Sequence, residues 1–314
     1  MDPRVLRGKS IVSALDLTGR EASYIIETGL EMKKRYYLGE RILPLLTGRT
    51  LVLLFQAPST RTRVSFEVAM SQLGGYVITL NWDELQLKRG ETLADTARVL
   101  SRYADCIAAR LLSHESLVEL DQYADVPVIN ALSDLEHPVQ ALSDLMTMKE
   151  EFGYLKGLTV AFVGDGRDNV LNSLVVLATR LGVNVRIAAP RELWPLRKYL
   201  SEAEKASGET GAEVVVTEDP EEAVRGADVV YTDVWVSMGK EEEREKRIKL
   251  LQDYQVTEEL MKLAKAHAKF MHCLPAHRGE EVTNEVIDGP RSIVWRQAEN
   301  RLHLQKALLA LVIR

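Results

Sequence analysis

Ser59, Thr60, Arg61, Thr62 and Arg63 stand in a row just after the apolar run 49–56 and Pro58. Hydroxyls and guanidiniums at a strand-to-helix turn suit an anion. The first backbone N–H groups of a helix have no partner within it. The hydroxyls add donors, and a planar guanidinium grips two oxygens at once. Together they fit phosphate. Read alone, the stretch also fits a capped, solvated helix start with Ser59 as N-cap. Arg63, farther along, reads as structural on either view. Arg110 ends the run 105–110, where it either faces solvent or adds a second positive charge to the same anion. His137 and Gln140 lie three apart at a helix start marked by Pro138, so both can reach one site. A neutral imidazole would donate to a carbonyl oxygen, and Gln140 would accept from an amide. A satisfied, partly buried histidine is the plain alternative.

The second half offers three more clusters. The stretch 164–169 reads GDGRDN, with Asn169 where the third glycine of a dinucleotide fingerprint belongs. It is a weak nucleotide signal and a better tight turn that presents Asn169. Asp233 sits at the end of an apolar run, with Ser237 and Met238 in the loop that follows. That loop is either a binding segment or surface. In HCLPAHRG, 272–279, Cys273 ends a strand and Pro275 breaks the chain. His272, Cys273 and His277 share no standard zinc spacing, so no metal is expected.

These clusters need elements to hold them. Short apolar runs alternate with longer amphipathic ones, which predicts an α/β chain with parallel sheets. Strands are expected near 49–56, 76–80, 105–110, 126–130, 158–163, 183–189, 212–218, 227–233, 269–273 and 292–295. Helices are expected near 18–37, where Thr18 and Glu21 have capping-box spacing, and near 60–73, 92–104, 114–124, 137–151, 167–181 and 298–313. The stretch 81–91 reads as a polar loop, and the charged stretch 239–249 as a solvated helix face. The polar clusters all follow strands or open helices, where ligands bind in such sheets.

The chain has 314 residues, 46% hydrophobic, enough for two domains. The expected division is 1–150, completed by the helix 298–314, and 151–297. Net charge is −6, which speaks against nucleic acid as a partner. Two distant cysteines form no disulfide framework and suit a reducing, cytoplasmic setting. No signal peptide and no membrane span are read in the sequence.

Taken together, STRTR, HPVQ and HCLPAHRG, in this order, resemble the signature of the carbamoyltransferases. GDGRDN, DVWVSMG and the terminal AENRLH also match, so the resemblance runs from about residue 10 onward. HCLP and SMG favour the ornithine branch over the aspartate branch. The resemblance implies two doubly wound parallel-sheet domains joined by interdomain helices. The first would bind carbamoyl phosphate, and the second ornithine. Carbamoyl phosphate would contact Ser59, Thr60, Arg61, Thr62, Arg110, His137, Gln140, Cys273, Leu274 and Arg301, with Gln86 reaching it from a neighbouring subunit. Ornithine would contact Asn169, Asp233, Ser237 and Met238. Arg61, His137, Cys273 and Arg301 would carry the chemistry. Asp168 and Asn172 depart from the residues common there. The partners implied are carbamoyl phosphate, L-ornithine and further copies of the chain, in a homotrimer or an assembly of trimers. Group transfer of this kind needs no cofactor.

Three rivals remain at this stage. Another carbamoyltransferase would act on aspartate, putrescine or an N-acylated ornithine, but Asp233 favours a cationic acceptor and Asn169 a carboxylate. A two-domain amino-acid sensor would use the same pockets without chemistry. A dehydrogenase is opposed by the broken glycine fingerprint.

Overall fold

The computed structural model describes residues 2–236 and 241–313. Its contacts divide the chain into unit 1, Met1–Met146 with Asn300–Arg314, and unit 2, Thr147–Glu299. Each unit has its own parallel sheet.

In unit 1, Thr18 and Glu21 form the capping box of α1, Gly19–Tyr37, each side chain bonded to the other's backbone N–H. Then come β1 (Thr50–Phe55), α2 (Thr60–Gln72), β2 (Tyr76–Asn81), α3 (Leu93–Leu100), β3 (Cys106–Arg110), α4 (His114–Tyr123), β4 (Val128–Leu132) and α5 (Pro138–Phe152). The strand order is β2-β1-β3-β4, all parallel. β1 and β3 are central and buried, so they read as unbroken apolar runs. β2 is an edge strand and leaves Tyr76 and Ile78 exposed. The core packs Val52, Leu54, Ile107, Ala109, Leu117 and Val128. The polar loop 81–91 contains two short 3-10 turns, Trp82–Glu84 and Gln86–Arg89.

Unit 2 contains β5 (Thr159–Val163), α6 (Asn169–Arg180), β6 (Asn184–Ala188), α7 (Arg197–Thr210), β7 (Val214–Thr217), α8 (Pro220–Val224), β8 (Val229–Tyr231), α9 (Arg244–Leu251), α10 (Glu258–Leu263), β9 (Lys269–Met271), α11 (Asn284–Ile287) and the start of α12 (Val294–Val312). The order is β7-β6-β5-β8-β9, again all parallel. Two helices carry the chain across the division: α5 outward and α12 back.

Both sheets are doubly wound and switch direction once. In unit 1 the chain runs outward from β1 to β2, then returns to place β3 on β1's other side. In unit 2 it runs β5, β6, β7 and returns to place β8 beside β5. The loops after the two strands flanking such a switch leave toward opposite faces and open a crevice at their carboxyl ends. The switch lies at β1/β3 in one unit and at β5/β8 in the other.

Two expectations are corrected. SIVW, 292–295, is not a strand: Ser292 makes a single bridge to Phe270, and the helix already begins at Val294. The β-branched run imitates a strand, but only Arg291 and Ile293 bond the backbone of Phe270. The charged stretch is not solvated throughout, because Arg247 of α9 is buried. Its guanidinium bonds Asp165 at 2.6 Å and Glu243 at 3.0 Å. Among the described residues, no helix is long and apolar enough to cross a membrane.

Candidate active site

At the β1/β3 switch of unit 1, Ser59 and Arg110 meet. Ser59 is the N-cap residue of α2 but makes no side-chain cap bond. Its hydroxyl instead accepts from Arg110 Nη1 at 3.2 Å. The first turn of α2 therefore keeps its backbone N–H groups turned to whatever lies before it. Thr60 and Arg61 are exposed on that turn. Arg63 pairs with Glu67 at 2.9 Å, and Glu67 also accepts from Thr79, so this arginine serves the helix surface.

Thr62 points inward and is buried. Its hydroxyl accepts from Arg301 Nη2 at 2.8 Å, while Arg301 Nη1 donates to Gln140 Oε1 at 2.6 Å. One buried guanidinium thus joins STRTR to HPVQ. Gln140 Nε2 donates to Asp144 Oδ1 at 2.8 Å, one helical turn on. That bond fixes which end of the amide faces Arg301. Gln140 Oε1 retains a second lone pair for another donor.

His137 is buried at the start of α5, whose first N–H donors, Gln140 and Ala141, bond its carbonyl. Burial, then the nearby charges of Arg301 and Arg110, hold its pKa well below 6.5. The ring is neutral at pH 7 and acts as a hydrogen-bond partner, not a cation. The turn that delivers it is stiffly built. Leu132 has φ +148°, beside a register shift between Ala109 and Arg110. Asn130 Oδ1 accepts from Leu132 N–H, and Ser133 Oγ accepts from Glu136 N–H. Buried Glu136 accepts from Ser13 Oγ and Ala14 N–H, each at 2.6 Å.

Gln86 lies exposed on its 3-10 turn. An open cleft of about 570 Å³ runs beside STRTR, walled by Phe55, Pro58, Ser59, Thr60, Trp82 and Asp83.

The β5/β8 switch of unit 2 gathers the second set. Gly164, at φ +137°, and Gly166 shape the turn after β5. A Cβ on Gly166 would lie 2.3 Å from the Leu193 carbonyl oxygen, so the glycine is required by contact. Asp168 caps α6, accepting from Val170 N–H at 2.8 Å and Leu171 N–H at 3.0 Å. Asn169 follows it, buried. Asp233, after β8, is also buried and accepts from Val234 N–H at 2.8 Å. Burial above all, then the Asp168 carboxylate and more weakly Glu281, push the Asp233 carboxyl well above 3.8. A hydrogen bond from Cys273 and the Val234 N–H pull the other way. Ser237 and Met238 lie outside the described residues.

His272 sets the loop that carries Cys273 and Leu274. Leu274 N–H donates to His272 Nδ1 at 2.9 Å, so the neutral ring carries its proton on Nε2, which donates to Glu281 Oε1 at 3.0 Å. His272 and Glu281 are fully buried. Leu274 adopts φ +61°, with a cis bond to Pro275. Gln297 Oε1 accepts from the His272 backbone at 2.9 Å.

The structure therefore groups Ser59, Thr62, Arg110, His137, Gln140 and Arg301 in unit 1, and Asn169, Asp233, Cys273 and Leu274 in unit 2. Sequence reading passed over Glu136, Asp144 and Glu281, weighed His272 only as a metal ligand, and read Arg247 as part of a solvated face. The first two had a signal: Glu136 immediately precedes HPVQ, and Asp144 is four residues beyond Gln140 on one helix face.

Comparison with known proteins agrees with both halves. Residues 9–150 match the family model described as aspartate/ornithine carbamoyltransferase, carbamoyl-P binding domain. Residues 156–312 match the one described as aspartate/ornithine carbamoyltransferase, Asp/Orn binding domain. A protein of Hyperthermus butylicus named ornithine carbamoyltransferase is 60% identical over 311 residues, 99% of each chain. One of Pyrococcus furiosus, named ornithine carbamoyltransferase, anabolic, is 53% identical over 98% of this chain and 97% of its own. The solved ornithine carbamoyltransferase from Pyrococcus furiosus superposes with a TM-score of 0.94 at 52% identity, covering 98% of both chains.

Proposed function

Because the chain belongs to the aspartate/ornithine carbamoyltransferase family, we propose that it moves the carbamoyl group of carbamoyl phosphate to the δ-amino group of L-ornithine, giving L-citrulline and phosphate. The observation that carries this reading is Arg301. Its two bonds, to Thr62 and Gln140, tie the anion-binding turn to the carbonyl-binding turn. The relative named anabolic supports the biosynthetic direction, toward arginine.

Unit 1 suits the mixed anhydride. A phosphate monoester carries a charge of about −1.5 to −2 near neutrality. Arg61, Arg110, the hydroxyls of Ser59, Thr60 and Thr62, and the α2 terminus balance it, and they stabilise the phosphate as it leaves. Arg301 supplies positive charge to the carbonyl oxygen as it becomes an oxyanion. Neutral His137 adds an uncharged donor there. Gln140 Oε1 accepts from the carbamoyl NH₂.

Unit 2 suits the amino acid. Asp233 pairs with the α-ammonium and Asn169 with the α-carboxylate, and Ser237 and Met238 complete that contact. An approaching cation favours the ionised form of Asp233, so binding reverses the rise that burial causes. The δ-amine has a solution pKa of about 10.4 if it behaves like lysine, and making it neutral at pH 7 costs roughly 4 kcal/mol. Burial away from water disfavours the ammonium form and offsets part of that cost. A hydrogen bond from the Cys273 thiol helps to position the Asp233 carboxylate. Leu274 contributes backbone groups on a turn held by His272. No electron or hydride moves, so the reaction calls for no cofactor.

The homotrimer and the cytoplasmic setting rest on the family resemblance; exposed Tyr76 and Ile78 on the edge strand, with Val64 on α2, leave apolar surface that suits contact between copies. Gln86 then acts on the carbamoyl phosphate of a neighbouring copy. Light scattering that returns a monomer would remove that part of the reading.

The decisive assay supplies carbamoyl phosphate with ornithine, aspartate, putrescine or N-acetylornithine in turn. It follows phosphate release and the ureido product. Citrulline from ornithine, with little product from the others, is the expected result. Turnover of another acceptor in preference to ornithine would overturn the assignment.

A further inference from the structure

The turn after Cys273 carries a cluster that the proposed chemistry does not use. We propose that His277, Glu280 and Glu281 form a binding site for a first-row divalent cation of the zinc type. One donor atom from each of the three lies within 4.8 Å of the other two. Zinc bonds histidine nitrogen and carboxylate oxygen at about 2.0–2.2 Å, so donors this close to one another suit a single ion.

Two carboxylate oxygens stand ready. Glu281 is fully buried. Its Oε1 is engaged, accepting from His272 Nε2 at 3.0 Å and from His277 N–H at 2.6 Å. Its Oε2 is buried with no hydrogen-bond partner among the described residues. Glu280 repeats the pattern. One oxygen pairs with Arg244, and Oε2 is buried without a hydrogen-bond partner, 3.8 Å from His277 Nδ1. Buried carboxylate oxygens without donors are costly, and a cation removes that cost for both.

The backbone fixes the ligands in advance. Glu280 N–H donates to the His277 carbonyl at 2.9 Å, which folds the two side chains onto one turn. Gly279, at φ +88°, makes the tight bend. Gln255 Nε2 clamps the Gly279 and Glu280 carbonyls at 2.8 and 2.7 Å. The bond between His272 and Glu281 orients a ligand from outside, as partners of metal-binding carboxylates do. Arg244 balances one carboxylate and leaves the second for the cation. Arg278 is committed to Asp288 and Asn284. Two carboxylates and an imidazole suit zinc, whereas calcium and magnesium prefer larger all-oxygen shells.

Asp233, His272 and Cys273 make a second triplet within 4.8 Å. There, however, His272 Nδ1 already accepts from Leu274 N–H, and the thiol already donates to Asp233. The test separates the two clusters. The full chain, stripped with a chelator, is titrated with Zn²⁺ by calorimetry and with Co²⁺ by visible absorption. One equivalent is expected, with a Co²⁺ spectrum that lacks a thiolate-to-cobalt band. His277→Ala and Glu280→Gln should each weaken binding at least about tenfold, and Cys273→Ser should leave it unchanged. Zn²⁺ should raise the melting temperature of the parent chain and not of Glu280→Gln. Should His277→Ala fail to fold, His277→Asn replaces it. The proposal is overturned by unchanged affinity in the His277 and Glu280 variants, by loss in Cys273→Ser with a thiolate band in the parent, or by no saturable binding up to about 1 mM.

Discussion

Arg301 and Asp233 show what single side chains contribute here. Arg301 is buried, and it bonds two neutral oxygens, on Thr62 and Gln140. The planar fork reaches both at once, and an ammonium has no such geometry. Arg301→Lys keeps the charge and should still lower kcat by about 10²–10³, the usual loss when one oxyanion donor goes. Steady-state kinetics beside a thermal melt would check this, and a kcat within tenfold of the parent would refute the role. Asp233 has its carboxyl pushed up by burial and then by Asp168. Asp168→Asn preserves a cap acceptor for Val170 and Leu171 but deletes that negative charge. Asp233 then ionises at lower pH, because a like charge opposing its ionised form is gone. The acid limb of kcat/KM for ornithine should therefore move to lower pH. A limb that stays in place or moves upward would show that Asp168 does not govern Asp233.

Among the elements, the turn between β5 and α6 is the least tolerant. Gly166 faces the Leu193 carbonyl oxygen and Pro195 Cδ, at 2.3 and 3.0 Å from an added Cβ. Gly166→Ala must displace backbone, and overpacking of this kind costs roughly 1–3 kcal/mol. Calorimetry should show a melting temperature lower by several degrees; an unchanged melt would mean that the 193–195 segment yields freely. The same turn shows how much the sequence discloses. GDGRDN was legible as a tight strand-to-helix connection, because glycine spacing and the apolar run before it are local signals. The anion turn at Ser59 and the helix start at His137 were legible for the same reason. Arg110 was placed with Ser59 only as one of two readings and by resemblance, and the grouping of Asp168 with Asp233 was not legible at all, because strand order decides it and leaves no local trace. Arg247 is a sharper case. Its partner Asp165 is 82 residues away, so within its own window the arginine looks like any solvated charge. SIVW misled in the opposite direction, since Ile293 and Val294 carry strand propensity while the chain there turns into α12.

At the scale of the molecule, unit 1 is discontinuous and unit 2 is not. Residues 300–313 supply Arg301 and bury Leu304, Ala307, Leu308, Leu309, Val312 and Ile313, and the Val312 carbonyl accepts from Gly8 N–H at 2.8 Å. Deleting 300–314 removes a wall of one core and none of the other. Limited proteolysis of that variant should cut within 1–146 and spare 147–299. Equal resistance in both would show that the first sheet holds without its returning helix.

The same discontinuity sets an order of events during synthesis. As the chain leaves the ribosome, 147–299 has every strand of its sheet before residue 300 has been added. Until then residues 1–146 lack the Arg301 guanidinium that joins Thr62 to Gln140. The second unit is thus contiguous in the order of synthesis, whereas the first is completed only by residues 300–313. Arg301 enters with the early turns of α12, and the buried side chains from Leu304 to Ile313 close that core last.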